Sequence, residues 1–281
     1  GTAGQVLTTD GAGVLSFQTP TTAWELLGNA GTTNGTDFIG TTDAQDLDIR
    51  TNNVVRARIT QKGQIETLNT GNSVFIGEGA GANDDLSDNK NVFVGKDAGA
   101  SNTTGWQNTA TGNAALLSNT TGNQNTANGI AALYENTTGR QNTANGASAL
   151  NANTTGDYNT ANGTGALNNN TTGESNTANG MTTLYENTTG SFNTANGKEA
   201  LQLKTEGIGN IGLGFRAGAN LTNGDNNIFN GYSINAPVAT GSNQMSIGNL
   251  IYATGVDGTG TSVSSGKELA QLCPTLFPLL S

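Results

Sequence analysis

Side chains able to do chemistry are few in this chain, and their spacing limits what they can do. There is no histidine, so the commonest general base and the commonest metal ligand are both missing. Between residues 102 and 197 the charged residues are Glu135, Arg140, Asp157, Glu174 and Glu186. Glycan hydrolysis needs two carboxyl groups about 5–9 Å apart. Glu135 and Glu186 recur in one column of a repeat but stand three repeats apart, about 14 Å at the usual strand spacing. They are not a catalytic pair, and solvated charge is the better reading. The segment "GANDDLSDNKN" (81–91) gathers Asp84, Asp85 and Asp88. Such oxygens suit Ca²⁺, but their spacing fits no standard Ca²⁺ loop, so loop solvation is expected. The one cysteine, Cys273, has no internal disulfide partner. The NTT tripeptides match the N-glycosylation acceptor, yet Asn and Thr at a turn account for them without sugar. What remains is aromatic: Trp106, Tyr134, Tyr158, Tyr185 and Phe192 stand singly in polar sequence. Exposed rings of this kind can stack on sugars, and they are the candidate surface or glycan contacts, although single exposed aromatics are ordinary. No catalytic, metal-binding or cofactor site is expected; the reading is of a non-enzyme.

A repeat must position these residues. A glycine closes an NTANG-like pentapeptide at Gly95, Gly112, Gly129, Gly146, Gly163, Gly180, Gly197, Gly214, Gly231 and Gly248, a spacing of 17 residues each time. An earlier copy, "SVFIG", ends at Gly77, 18 residues before Gly95. A second motif, NTTG, keeps the same step from Asn102 to Gly190 and degenerates in phase to "KTEG", "LTNG" and "VATG". Seventeen residues is too short for a helical-pair repeat or a propeller blade. The consensus N-T-A-N-G-x-x-A-L-x-x-N-T-T-G-x-x holds two short extended runs and two glycine-marked turns. It therefore predicts one coil of a parallel β-solenoid, or β-roll, with coils about 4.8 Å apart.

The end coils indicate how the strands face. Alternation puts Val74/Ile76, Val92/Val94, Ile211/Leu213 and Met245/Ile247 on one face, which becomes Thr and Asn in the middle coils. The opposite face carries Phe75, Phe93 and Phe229 near the ends and Ala in the middle. With the column Leu116, Leu133, Leu150, Leu167, Leu184 and Leu201, this makes a thin core. Such a core predicts association into a symmetric homo-oligomer. Asn128, Asn145, Asn162, Asn179 and Asn196 recur where the end coils are aliphatic. If buried, these amides must be paired, and stacked coils predict a structural amide ladder. The column Thr126, Thr143, Thr160, Thr177 and Thr194 also raises an alternative, an ice-binding or other surface-binding solenoid using Thr/Asn ladders.

The stretches "GNSVFIGEGAGA" and "KNVFVGKDAGA" resemble head repeats of trimeric autotransporter adhesins. The resemblance implies a parallel β-roll with three chains around a threefold axis. NTANG-x-x-AL-x-x-NTTG is similar to repeats of phage tail fibres and of large surface proteins of Bacteroidetes. "GTAGQVLTTDGAGVLSFQTP" (1–20) resembles a recurrent leader of such proteins, and residues 37–69 resemble the segment that often precedes the repeats. The departure is the third strand position, Asn here and aliphatic in adhesin heads. Related fibres often end in a self-cleaving chaperone domain; none is read in this sequence, whose stop at Ser281 fits its removal and a truncation equally.

The chain has 281 residues, 41 of them Gly, with 11% charged residues and 5% aromatics. Its net charge of −10 comes without a basic patch, which excludes ordinary nucleic-acid or anionic-membrane binding. No run of about 18 apolar residues occurs, so no membrane insertion is expected. It opens on Gly1 and reads as a fragment or processed product of something longer. The expected organisation is an extended N-terminal arm (1–36), a small β segment with a hairpin at "QKGQ" (37–70), β-solenoid repeats (71–255), and a linker with an apolar C-terminal segment (256–281). The expected function is that of a homotrimeric, extracellular fibre segment of a phage tail fibre or bacterial surface adhesin. It would space and present a tip that binds a cell-surface receptor or glycan, without cofactors.

Overall fold

The computed structural model describes residues 44–248, together with the backbone of strands at 6–9, 15–18 and 251–254. The remainder of the expected N-terminal arm and the expected C-terminal linker and apolar segment lie outside the described residues. The chain divides into two units, Gly1–Glu66 and Thr67–Ser281. All described regular structure is β, and no described helix is long and apolar enough to cross a membrane.

In the first unit, β1 (Val6–Thr9) and β2 (Leu15–Gln18) pair antiparallel. A separate sheet is ordered β3 (Leu47–Thr51), β4 (Val54–Ile59) and β5 (Ile65–Thr67). β3 and β4 pair antiparallel through a turn at Asn52 and Asn53, both at positive φ, as a tight two-residue hairpin turn requires. The expected turn at "QKGQ" is present: Gly63 N–H donates to Thr60 O at 2.8 Å and Thr60 N–H to Gln64 O at 2.9 Å. Arg58 bonds Asp48 across β3 and β4 at 2.7 Å. That hydrogen bond, with a second from Arg50, holds the Asp48 carboxyl below its ordinary range.

The second unit is a parallel β-solenoid. Its strands are β6 (Val74–Ile76), β7 (Val92–Val94), β8 (Thr109–Thr111), β9 (Thr126–Asn128), β10 (Thr143–Asn145) and β11 (Thr160–Asn162). They continue as β12 (Thr177–Asn179), β13 (Thr194–Asn196), β14 (Ile211–Leu213), β15 (Ile228–Asn230) and β16 (Gln244–Ile247). Neighbours pair in parallel at the repeat register, Thr143 beside Thr160 and Asn145 beside Asn162. A final strand, β17 (Ile251–Thr254), joins β16 antiparallel.

Each coil contains one strand rather than the two predicted extended runs. The A-L-x-x-N-T-T-G half is not a strand because its backbone alternates into the left-handed region. Ala131 (φ 55°) and Leu133 (φ 51°) show the pattern, which recurs along their columns. A left-handed leucine costs about 1–2 kcal/mol, and burying its side chain returns about 1.5–3 kcal/mol. This half still bonds coil to coil, with Leu133 N–H on Ala149 O at 3.0 Å and Thr137 N–H on Thr154 O at 2.9 Å.

The core lies where the Phe/Ala face of the strands meets the Leu column. Phe93, Phe229, Ala127, Ala144, Ala161 and the leucines from Leu116 to Leu201 are fully buried within one chain. Two glycine columns permit this packing for different reasons. Gly163 sits at φ +138°, and a β-carbon there would come within 2.5 Å of Gly180 O in the next coil. Gly139 has no unusual φ, but a β-carbon would strike Asn136 Oδ1 and, at 2.7 Å, Gly156 O.

Candidate functional site: amide ladders and the outward face

The asparagines divide into an inner and an outer set. The first Asn of each pentapeptide, from Asn91 to Asn227, is buried. Its Oδ1 accepts the backbone N–H one coil later: Asn142 Oδ1 from Asn159 N at 2.9 Å, Asn159 Oδ1 from Asn176 N at 3.0 Å. The Asn of NTTG is buried as well, and its amides chain directly, Asn136 Nδ2 to Asn119 Oδ1 and Asn153 Nδ2 to Asn136 Oδ1, each at 2.8 Å. The two ladders share a carbonyl in each coil: Gly122 O accepts from Asn108 Nδ2 at 2.9 Å and Asn119 Nδ2 at 3.0 Å. These amides fill the interior beside the thin Leu/Ala core and, apart from Asn187 Oδ1, satisfy each other, which buried polar groups require. The NTT sequon asparagines are thus interior residues with no room for a sugar in the folded coil.

Both ladders begin at one carboxylate. Asp84 Oδ2 accepts from Asn91 Nδ2 at 2.9 Å and from Asn102 Nδ2 at 2.8 Å, while its Oδ1 takes Asn89 Nδ2 at 3.0 Å. Asp85 caps Ser87, and Asp88 pairs with Lys90 at 2.8 Å. The acidic cluster therefore terminates ladders and turns its own loop. Among the described residues no group of three His, Cys, Asp or Glu is placed to hold a metal.

The column Asn128 to Asn196 belongs to the outer set. Asn128 and Asn196 are exposed and Asn145, Asn162 and Asn179 half-buried. Bonds of 2.9, 2.8 and 2.8 Å link Asn128 to Asn145, Asn145 to Asn162 and Asn162 to Asn179. The Thr two residues earlier in each strand lies on the same outward side, half-buried from Thr126 to Thr177 and exposed at Thr194. The outward face is thus a strip of Thr and Asn, flanked at its ends by aliphatics such as Ile76, Val92 and Leu213, all of them exposed.

The five candidate aromatics do not converge. Tyr158 and Phe192 are exposed in one column two coils apart, about 10 Å. Trp106, also exposed, occupies the adjacent column. Tyr134 and Tyr185 are half-buried in another column, three coils apart. The Tyr185 ring lies over Gly165, where a β-carbon would come within 3.3 Å. The ring pairs are elsewhere. Phe75 stacks on Phe93 at 5.3 Å, and Phe215 on Tyr232 at 5.1 Å, the latter 75% exposed. Phe215 and Tyr232 line a shallow surface recess of about 590 Å³ with Leu213, Asn196 and Asn230. Lys198 Nζ stands 6.0 Å above the Phe215 ring. Sequence reading missed this pair because it followed other variable columns. The signal was Lys198, Phe215 and Tyr232 in succession after the coil-closing glycine.

Glu135 is exposed, and Glu186 accepts from Asn169 Nδ2 at 2.8 Å. Asp157 pairs with Arg140 at 3.5 Å. None of these arrangements sets a nucleophile against a base. Compared with known protein families, characterised proteins and solved structures, the chain shows no significant match.

Proposed function

We propose that the chain is a structural fibre segment of a phage tail fibre or bacterial surface adhesin. It works outside the cell as a homotrimer, spacing and presenting a surface-binding tip. The observation that carries this reading is where the repeated residues go. Glycine, leucine and two asparagine columns of the middle coils serve the stack itself, and among the described residues no group of three His, Cys, Asp or Glu converges. Such a unit resists bending and slippage but transforms no substrate. The core closes within one chain, so the case for association rests on the outward face, whose exposed Ile76, Val92 and Leu213 a second copy would cover. Light scattering tests it: the chain should have three times its 28.5 kDa mass. A stable folded monomer at micromolar concentration contradicts the trimer.

A second reading is favoured by the outward direction of the Thr and Asn columns. A strip with about 4.8 Å between coils and about 6.6 Å between alternate residues offers a regular array of polar groups to an ordered surface such as ice. Thermal hysteresis that disappears on replacing Thr143, Thr160 and Thr177 by Lys would support it. Absence of thermal hysteresis in the unmodified protein removes it.

A further inference from the structure

The NTTG amide ladder stops at one place where the pattern changes. Side-chain amides donate to the preceding coil from Asn119 as far as Asn187, whose Nδ2 bonds Asn170 Oδ1 at 2.8 Å. The next residue of that column is Lys204, and above it stand Leu221 and Val238. Lys204 is the one charged residue with a fully buried side chain among the described residues. Its Nζ donates to the carbonyls of Glu206 and of Gly207, the latter at 2.9 Å. It takes the place that an amide nitrogen holds one coil earlier. A β-carbon on Gly173 would lie 3.0 Å from Asn187 Nδ2, and one on Gly190 would lie 3.0 Å from Lys204 Nζ while also striking Asn187 Oδ1. Yet Asn187 Oδ1 is buried without a hydrogen-bond partner.

We propose that Lys204 and Asn187 condense to an isopeptide bond that staples two successive coils. The lone pair of neutral Nζ attacks Asn187 Cγ, and the C=O electron pair moves onto Oδ1. The tetrahedral adduct collapses with loss of Nδ2, which leaves as ammonia carrying a proton from the attacking amine. One C–N bond forms and one breaks, and no oxidant or cofactor is consumed. The nitrogen keeps one hydrogen, enough for its bond to Gly207 O. A desolvated lysine is the activated form of this nucleophile. Burial lowers the Lys204 pKa to about 8, against the opposing charges of Asp225 and Glu206, so free amine is available at mildly alkaline pH. Those two carboxylates are the groups whose charge reaches Nζ. The inference stands apart from the fibre reading, since a staple between coils would serve any function of the solenoid.

Intact-mass spectrometry of the full chain, held at about pH 9, tests it. The expected result is a loss of about 17 Da, one ammonia, with tandem spectra showing the peptides of Asn187 and Lys204 joined. A Lys204→Arg chain should keep its full mass. Asn-Gly sites such as Asn162–Gly163 can lose ammonia by cyclising, so the position of the link decides. An unshifted wild-type mass overturns the proposal, as does a wild-type chain whose tandem spectra show no joined Asn187 and Lys204 peptides.

Discussion

Replacing Asn159 by Leu should cost far more than replacing Asn162 by Leu, although the two residues are three apart in one pentapeptide. Leucine preserves most of the volume at either position and removes the amide. Asn159 is fully buried. Its Oδ1 accepts Asn176 N–H at 3.0 Å and Asn176 Nδ2 at 3.1 Å, and its Nδ2 donates to Gly173 O at 2.8 Å. Gly173 O retains Asn170 Nδ2 at 2.9 Å, and Asn176 Nδ2 retains Gly190 O at 2.8 Å. Asn176 N–H loses its acceptor inside the coil. One orphaned buried donor, at about 1–3 kcal/mol, plus the weakened neighbouring bonds gives a total of about 2–4 kcal/mol. Asn162 sits in the outer ladder, where water can replace the bonds to Asn145 and Asn179, so its loss should stay within about 0.5 kcal/mol. Urea unfolding followed by circular dichroism reads the difference as a midpoint drop of about 1–2 M for Asn159→Leu. Equal midpoints, or a larger drop for Asn162→Leu, would refute the assignment of inner and outer ladders.

The glycine columns make a paired prediction. Gly163→Val combines a φ of +138° with a backbone clash and should lower the melting temperature sharply, because a β-branched residue resists positive φ. Gly139→Ala should also destabilise, by displacing Asn136 Oδ1 from its ladder; an unchanged melting temperature in both would contradict the register. In the first unit, Asp48 should titrate below 3.8, its ordinary value, and Arg58→Gln should move the midpoint upward. The sign follows from linkage: a depressed carboxylate pKa contributes stability above 3.8 that disappears as pH falls through the lower folded value. Carboxyl chemical shifts followed by NMR measure it, and a midpoint unaffected by Arg58→Gln would sink the assignment.

The period, the parallel stack and the Leu/Ala core were legible because each is a column property. A residue that recurs every 17 positions in a solenoid meets its own copy. The inner ladders were not read, because asparagine beside threonine and glycine is the ordinary chemistry of a turn. A signal was present. The first Asn persists through the apolar end coils as Asn91, Asn210 and Asn227, whereas the second gives way to Val94 and Leu213. The side chain that keeps its amide when its neighbours turn aliphatic is the one with an interior partner. The second extended run was misread because nothing in A-L-x-x-N-T-T-G announces a left-handed leucine; only the requirement to turn the coil over the core imposes it. Lys204 looked like repeat decay, and its burial follows only once the Asn column beneath it is known to be interior.

Distances between spin labels on the outward face test most directly that every 17 residues advance the chain by one parallel coil. Cysteines would replace Thr126 and Thr194 in one chain and Val92 and Ile228 in another, with Cys273→Ser removing the native thiol. Labelled chains diluted into unlabelled ones isolate the distance within a chain. The register places the first pair four coils apart and the second eight, so pulsed electron paramagnetic resonance should give about 19 Å and about 38 Å. Two distances in the ratio of the coil numbers support the stack; distances that fail to grow with the number of repeats contradict it.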